Sequence, residues 1–208
     1  LVQLEHGFTE VPVMEEMAKP RPAYLLARGE FTAKRTEENK FTRDTPGFLL
    51  PFPKDAPRDR LGLARWLTLP NHPLTSRVYV NRIWQQLLGK GLVGTTENFG
   101  LQGDLPTHPQ LLDWLCRDFI NHNWSTKHLV KQIVLSATYR QNSALTPELQ
   151  SLDIANKLLA RGPSHRLTGE AIRDAALLTS GLLSDKRGGP PVRPYDPVNN
   201  PKGNLDHV

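Results

Sequence analysis

Apolar positions recur along this chain with two different periods, and the change falls near residue 54. Before it, Val11-Pro12-Val13-Met14 and Ala23-Tyr24-Leu25-Leu26-Ala27 are short apolar runs, separated by Pro20 and Pro22 and followed by Gly29. Runs of this length bounded by Pro and Gly predict strands. Thr32–Thr45 is polar and charged and predicts a loop. Pro46–Pro57 holds four prolines and predicts an extended connector, because proline lacks the N–H donor that helices and sheet ladders use.

From Asp59 the period is helical. Leu61, Ala64, Leu67 and Thr68 share one face of a short helix that ends before Pro70. Asn71-His72-Pro73 predicts a turn, and Thr75 is placed to cap a helix whose face is Val80, Ile83, Trp84 and Leu87. Gly89 and Gly91 then supply the loose or left-handed backbone that stops it. Thr95–Pro106 is a long polar connection. Thr107 and Gln110 match a capping box for the next helix, whose apolar face is Leu111, Leu112, Leu115, Cys116, Phe119 and Ile120. Asn121–Trp124 breaks that helix, and Ser125 caps another carrying Leu129, Val130, Ile133, Val134 and Ala137. Two helices joined by so short a break are expected to pack together. A further helix is expected over Asp153–Ala160. A last one is capped by Thr168, turns Ala171, Ile172, Ala175, Ala176 and Leu178 toward a core, and ends near Gly181. The expectation is a mainly α protein: an irregular bundle of five or six helices with a small N-terminal β element. Its parts are an N-terminal segment 1–53 (the end of a preceding region), a helical domain 54–192, and a polar tail or cut end 193–208.

Composition narrows the class. With 208 residues, 38% hydrophobic and 23% charged, the chain is of globular type and long enough to bury a core. No apolar run approaches the roughly 20 residues of a membrane span, so no transmembrane segment is expected in this stretch. Cys116 is the one cysteine, which excludes an internal disulfide and a paired-cysteine haem attachment; on its apolar face it predicts a buried, inert thiol. The net charge of +5 sits at the centre, where residues 54–144 hold 11 basic and 6 acidic groups. That surplus is compatible with an anionic partner without requiring one. The chain opens on Leu1 without a charged-then-apolar leader, so a signal peptide, if the parent has one, lies outside it.

Eight separated strings then carry a family resemblance: Asp59-Arg-Leu-Gly-Leu-Ala-Arg-Trp-Leu67, Asn71-His-Pro-Leu-Thr-Ser-Arg-Val-Tyr-Val-Asn-Arg-Ile-Trp-Gln85, Gly100-Leu-Gln-Gly103, Thr107-His-Pro109, Leu112-Asp-Trp-Leu115, Ser136-Ala-Thr-Tyr-Arg-Gln141, Arg166-Leu-Thr-Gly-Glu-Ala-Ile-Arg-Asp174 and Gly188-Gly-Pro190. In order and spacing the chain resembles, over about residues 20–192, a planctomycete-specific, cytochrome-associated domain of unknown function, number fifteen fifty-three. The resemblance implies an extracytoplasmic, signal-bearing parent at the periplasm or cell surface, with haem in a neighbouring domain, and implies no particular reaction. One departure is visible: where the family carries arginines before its Arg-Leu-x-x-Glu string, this chain has Gly162-Pro163-Ser164-His165.

The candidate ligand-binding residues are Arg77, Asn81, Arg82, His108, Arg140, Glu170 and Arg173. Arg77, Asn81 and Trp84 are spaced to share a helix face. Guanidinium forks suit carboxylate or phosphate, which reads as an anion site; the same arginines can instead be held by the protein's own acids, Asp113, Glu170 and Asp174, and internal pairing is the stronger expectation. Of the histidines His72, His108, His122, His128 and His165, none falls in a zinc spacing, so no metal and no cofactor is expected in this segment; one of them as an axial ligand to a partner's haem is the sharper, weaker reading. Glu97, Asp104, Asp113, Glu170 and Asp174 contain no locally fixed carboxylate pair for glycoside chemistry. The helical pair 109–137 exposes Lys127, Lys131 and Gln132 without an arginine cluster, so nucleic acid is not an expected partner. The expected function is a non-catalytic structural or interaction module, its partners the neighbouring domains of the same parent and its contact surface Trp66, Trp124 or the loop Thr95–Pro106. The alternative is a polysaccharide-active enzyme domain, with a glycan or its anionic derivative in a cleft lined by Arg77, Arg82 and Glu170.

Overall fold

The computed structural model describes residues 11–186 and 188. Among them are six helices and one two-stranded antiparallel sheet near the N-terminus, the mainly α architecture the periodicity predicts. The chain divides into two compact units, Leu1–Ser164 and His165–Val208, a division that falls inside the helical stretch 54–192. Residues 1–10 and the tail 193–208 lie outside the described residues.

The sheet is smaller than the apolar runs suggest, and one strand lies elsewhere. Strand β1 (Ala23–Tyr24) pairs with β2 (Lys40–Phe41), which falls in the stretch expected to be loop. Val11–Met14 forms no strand, and Val11, Val13 and Met14 are exposed. Short apolar runs predict a strand only if a partner edge exists; here the edge comes from the polar segment, where a 3-10 turn over Glu37–Asn39 returns the chain alongside β1. The connector 46–57 forms no helix or strand, as its prolines require, and lies against α1 (Arg60–Leu67).

In α1 the buried face is the one opposite to that expected. Gly62 and Trp66 are buried, while Leu61, Leu63 and Leu67 are exposed. The reason is tertiary: the Trp66 indole N–H donates to the Leu50 carbonyl at 2.8 Å, and its ring meets His72 edge-on at 4.6 Å. A buried indole needs a hydrogen-bond partner, and the connector supplies it.

The core is a three-helix arrangement of α2 (Thr75–Leu88), α3 (Pro109–Asn121) and α4 (Thr126–Leu135), each packed on the other two. Val80 and Trp84 come from α2, Leu112, Leu115, Cys116 and Phe119 from α3, Leu129 and Ile133 from α4, with Leu92 and Val93 from the intervening loop. Ile83, Leu87, Leu111 and Trp124 pack around them. The 3.6-residue period therefore locates the faces of α2 and α3, but on α4 it is right for Leu129 and Ile133 only: Val130 and Val134, expected inward, are half-buried and border the outer side. Ala137 lies beyond the end of α4 and is exposed.

Helix ends follow local chemistry with two exceptions. Gly89 closes α2 at φ 84°, a left-handed conformation that a Cβ disfavours, and Ser125 caps α4 by accepting the His128 N–H at 3.3 Å. Between α3 and α4, Asn123 and Trp124 take φ 53° and 57°. A left-handed tryptophan is costly, and it is held by its own N–H on the Phe119 carbonyl at 2.9 Å and by an edge-on ring contact with Phe119 at 5.3 Å. The first exception is α2, where Thr75 is the first helical residue and the cap is the His72 ring. The second is α3, which begins at Pro109 with His108 at its cap position, so Thr107 makes no capping box; its hydroxyl bonds the Leu92 carbonyl at 3.3 Å instead. Proline at the first helical position needs no N–H partner, which moves the start by one residue.

The helix expected over Asp153–Ala160 is displaced toward the N-terminus. Helix α5 is Pro147–Leu152, capped by Thr146, and residues 153–160 form turns with Asn156 and Leu159 in left-handed conformations. Asp153 organises them: its carboxylate accepts the N–H groups of Lys157 and Leu158, each at 2.7 Å, and Arg161 donates to the Asp153 and Ile154 carbonyls. A side chain that satisfies several backbone donors competes with the helix for them.

In the second unit, α6 (Gly169–Thr179) is capped by Thr168, whose hydroxyl accepts the Ala171 N–H at 3.2 Å, and Gly181 follows its end at φ 74°. None of its residues is buried; Ile172 and Leu178 are exposed and Leu177 is half-buried. The expected inward face is thus not enclosed. Helical spacing identifies a face that could be covered, not a cover.

Candidate functional site

Residues Pro70–Arg77 and the outward side of α3 enclose a cleft of about 310 Å³, lined by Asn71, His72, Ser76, Arg77, Asp113, Cys116 and Arg117 among others. Its position follows from the chain: the turn after α1 delivers His72 below the start of α2, and Ser76 and Arg77 follow on the first turn.

His72 is 7% exposed and holds the helix start. Its Nδ1 lies 3.3 Å from the Leu74 N–H and 3.2 Å from the Thr75 N–H, with the Thr75 hydroxyl at 3.0 Å. Backbone N–H groups can only donate, so Nδ1 accepts and the ring proton is on Nε2. That Nε2 is buried and has no hydrogen-bond partner among the described residues. Burial lowers the His72 pKa, because an imidazolium there would lose water without gaining an acceptor.

Cys116 faces the same cleft from α3. Burial raises its thiol to about 11, outweighing the Ser76 hydrogen bond and the Arg77 charge that act the other way. The thiol is therefore not a nucleophile at neutral pH. Arg77 is ion-paired to Asp113, one turn along α3.

The remaining sequence candidates are dispersed. Arg82, two turns along α2, reaches Glu97 at 3.3 Å on the exposed side. Asn81 is fully buried, its amide bonded at both ends to the Val93 backbone. His108 sits at the start of α3 with Nδ1 3.0 Å from the Thr107 hydroxyl, and Arg140 is exposed just beyond α4. Glu170 and Arg173 are on α6 in the second unit, where Arg173 lies 3.8 Å from Asp174 and both are exposed. In the expected contact surface, Trp66 is buried and unavailable, Trp124 is half-buried, and the loop Thr95–Pro106 exposes Leu101 and Leu105.

A second polar cluster lies where α3 turns into α4. The Asp118 carboxylate meets His122 Nδ1 at 3.2 Å and His128 Nε2 at 2.7 Å, and the two imidazoles stack at 3.6 Å with 14° between their planes. The spacing Asp118-x3-His122 was the visible part of this in the sequence; His128 joins only through the turn at Asn123 and Trp124. On the outer side of α4, Val130, Val134 and Leu135 form an apolar groove of about 450 Å³ edged by Lys127 and Lys131.

The fold and its polar ties define a mainly α module in which Asn81 braces the chain itself and Arg77 and Arg82 each pair with a protein carboxylate. Residues 59–207 match the model of the family described as "Protein of unknown function (DUF1553)", and the chain belongs to that family. No curated protein and no solved structure matches it. No helix among the described residues is long and apolar enough to cross a membrane.

Proposed function

We propose that the chain is a non-catalytic structural and interaction module of a larger extracytoplasmic, cytochrome c-associated protein, docking against neighbouring domains of the same parent, one of which holds haem. The observation that carries this reading is the groove on α4. It presents half-buried Val130 and Val134 and exposed Leu135 between two lysines, on a helix whose other side is anchored in the core by Leu129 and Ile133. An apolar strip with a cationic rim suits a protein partner with an apolar ridge and acidic edges. The pairing of Arg77 with Asp113 and of Arg82 with Glu97 weighs the same way, since an anion or glycan would have to displace a protein carboxylate at each. The alternative, a polysaccharide-active domain, draws its support from Arg77 lining an open cleft.

The test uses the whole parent protein. Val130→Asp with Val134→Asp should loosen the module, read as faster proteolysis between domains and a larger radius in solution scattering, with the haem spectrum unchanged. Unaltered scattering and proteolysis would reject docking through this groove. A glycan-array signal abolished by Arg77→Ala would replace the structural reading with the enzymatic one.

A further inference from the structure

We propose that Asp118, His122 and His128 form a binding site for a late first-row divalent cation, zinc being the natural probe. Three observations converge. The side chains supply one carboxylate oxygen and two imidazole nitrogens, a donor set that matches zinc and its neighbours and not magnesium or calcium, which take oxygen. One ligand atom from each lies within 4.8 Å of the other two. Tetrahedral coordination at about 2.0–2.2 Å sets ligand atoms about 3.3–3.6 Å apart; His122 Nδ1 stands 3.2 Å from one Asp118 oxygen and His128 Nε2 2.7 Å from the other, so a small outward movement of the rings reaches that spacing.

The surroundings suit a site that fills from solvent. Asp118 is 14% exposed and fixed on α3, His128 is 26% exposed on the first turn of α4, and His122 is 49% exposed at the end of α3. Two ligands are thus held by packed helices and the third is free to adjust. Without metal, both imidazoles donate to Asp118: His122 Nδ1–H to its carbonyl and carboxylate, His128 Nε2–H to the other carboxylate oxygen. Coordination exchanges those hydrogen bonds for metal bonds, and each neutral ring then carries its proton on the nitrogen facing away from the metal. It also requires the stacked rings to splay, because a metal must lie near the plane of each imidazole. His122, the outermost, makes that movement. Three protein ligands leave at least one position for water or for a donor from a partner. A cation here would clamp the α3–α4 corner across the left-handed turn at Asn123 and Trp124.

The experiment takes the full chain after chelator treatment and titrates zinc by calorimetry, with cobalt absorbance as a second reading. One equivalent of zinc should bind, cobalt should show visible bands of a low-coordinate nitrogen–oxygen site, and zinc should raise the melting temperature until chelator is added. His128→Ala and Asp118→Asn should weaken binding about 100-fold, whereas His165→Ala should not change it. Should either helix-borne variant misfold by circular dichroism, His122→Ala decides, because its exposed side chain makes no core contact; the same weakening is expected. Absence of one-equivalent binding to the wild-type chain, or unchanged affinity in His122→Ala, would overturn the proposal.

Discussion

Asn81 grips Val93 by both backbone groups: its Oδ1 accepts the Val93 N–H at 2.9 Å, and its Nδ2 donates to the Val93 carbonyl at 3.1 Å. The pair ties the middle of α2 to the loop that carries Leu92 and Val93 into the core. Gly91 makes room for it, since a Cβ there would stand 2.6 Å from the Val93 oxygen and 2.7 Å from the Asn81 amide nitrogen. A residue placed by sequence among ligand candidates is thereby a fully engaged internal brace.

Asn81→Ala should lower unfolding stability by about 1–3 kcal/mol, because both Val93 groups would be left buried and unbonded. Urea denaturation checks this: the midpoint should fall with the slope unchanged. A midpoint equal to that of the parent chain would mean that water replaces the amide.

Phe119 is stacked on Tyr79 at 5.1 Å, meets Trp124 edge-on, and is among the most deeply buried side chains. Phe119→Ala should cost about 3–5 kcal/mol and release the left-handed turn at Trp124. Thermal unfolding reports the first effect, and loss of near-ultraviolet dichroism from the tryptophans reports the second.

The His72 cap works only with the ring neutral, since a protonated Nδ1 cannot accept. In the folded chain burial lowers the His72 pKa below its ordinary 6.5, while the unfolded chain titrates near that value. The stability that the cap contributes is therefore complete above pH 6.5 and is lost as pH falls through the lower, folded value. His72→Ala should cost about 1 kcal/mol near neutral pH, with a smaller difference from the parent chain in acid. Melting temperatures of the two proteins across that range provide the measurement; curves that stay parallel would contradict the cap.

Cys116 carries the opposite sign. Its folded thiol is raised to about 11 from an unfolded 9.0, so its contribution is present below pH 9.0 and lost as pH rises through the folded value. At mildly alkaline pH a thiol-specific reagent should leave the folded chain unmodified and react fully once denaturant is added. Stoichiometric labelling of the folded chain would show that the cleft admits the reagent and that the thiolate forms there.

The ion pairs Arg77–Asp113 and Arg82–Glu97 are largely exposed, and exposed pairs contribute little. Arg77→Ala and Arg82→Ala should each change stability by less than about 1 kcal/mol, the more so in high salt. Larger losses in calorimetry would mark these arginines as packing elements instead.

The faces of α2 and α3 and half of that of α4 were legible in the sequence because they depend on a 3.6-residue period and nothing distant: Val80 and Trp84, Leu112, Leu115, Cys116 and Phe119, and Leu129 and Ile133 lie where the spacing puts them, while Val130, Val134 and Ala137 do not. Several helix ends were legible for the same reason, since the left-handed Gly89 that stops α2 and the Ser125 and Thr168 hydroxyls that start α4 and α6 act within one turn. What lay beyond the sequence were pairings between distant segments. Trp66 turns inward because the Leu50 carbonyl waits 16 residues earlier. His72 displaces Thr75 as a cap because the turn after α1 aims its ring at α2, and β1 finds its partner in a polar stretch. Asp118 and His122 are neighbours one turn apart, but His128 joins them only because the chain folds back at Asn123. Local backbone preference sets the helices and, in the three-helix core, most of their inner faces; which face of α1 is buried and which polar groups come together is decided by how the loops close, and that depends on partners no local pattern contains.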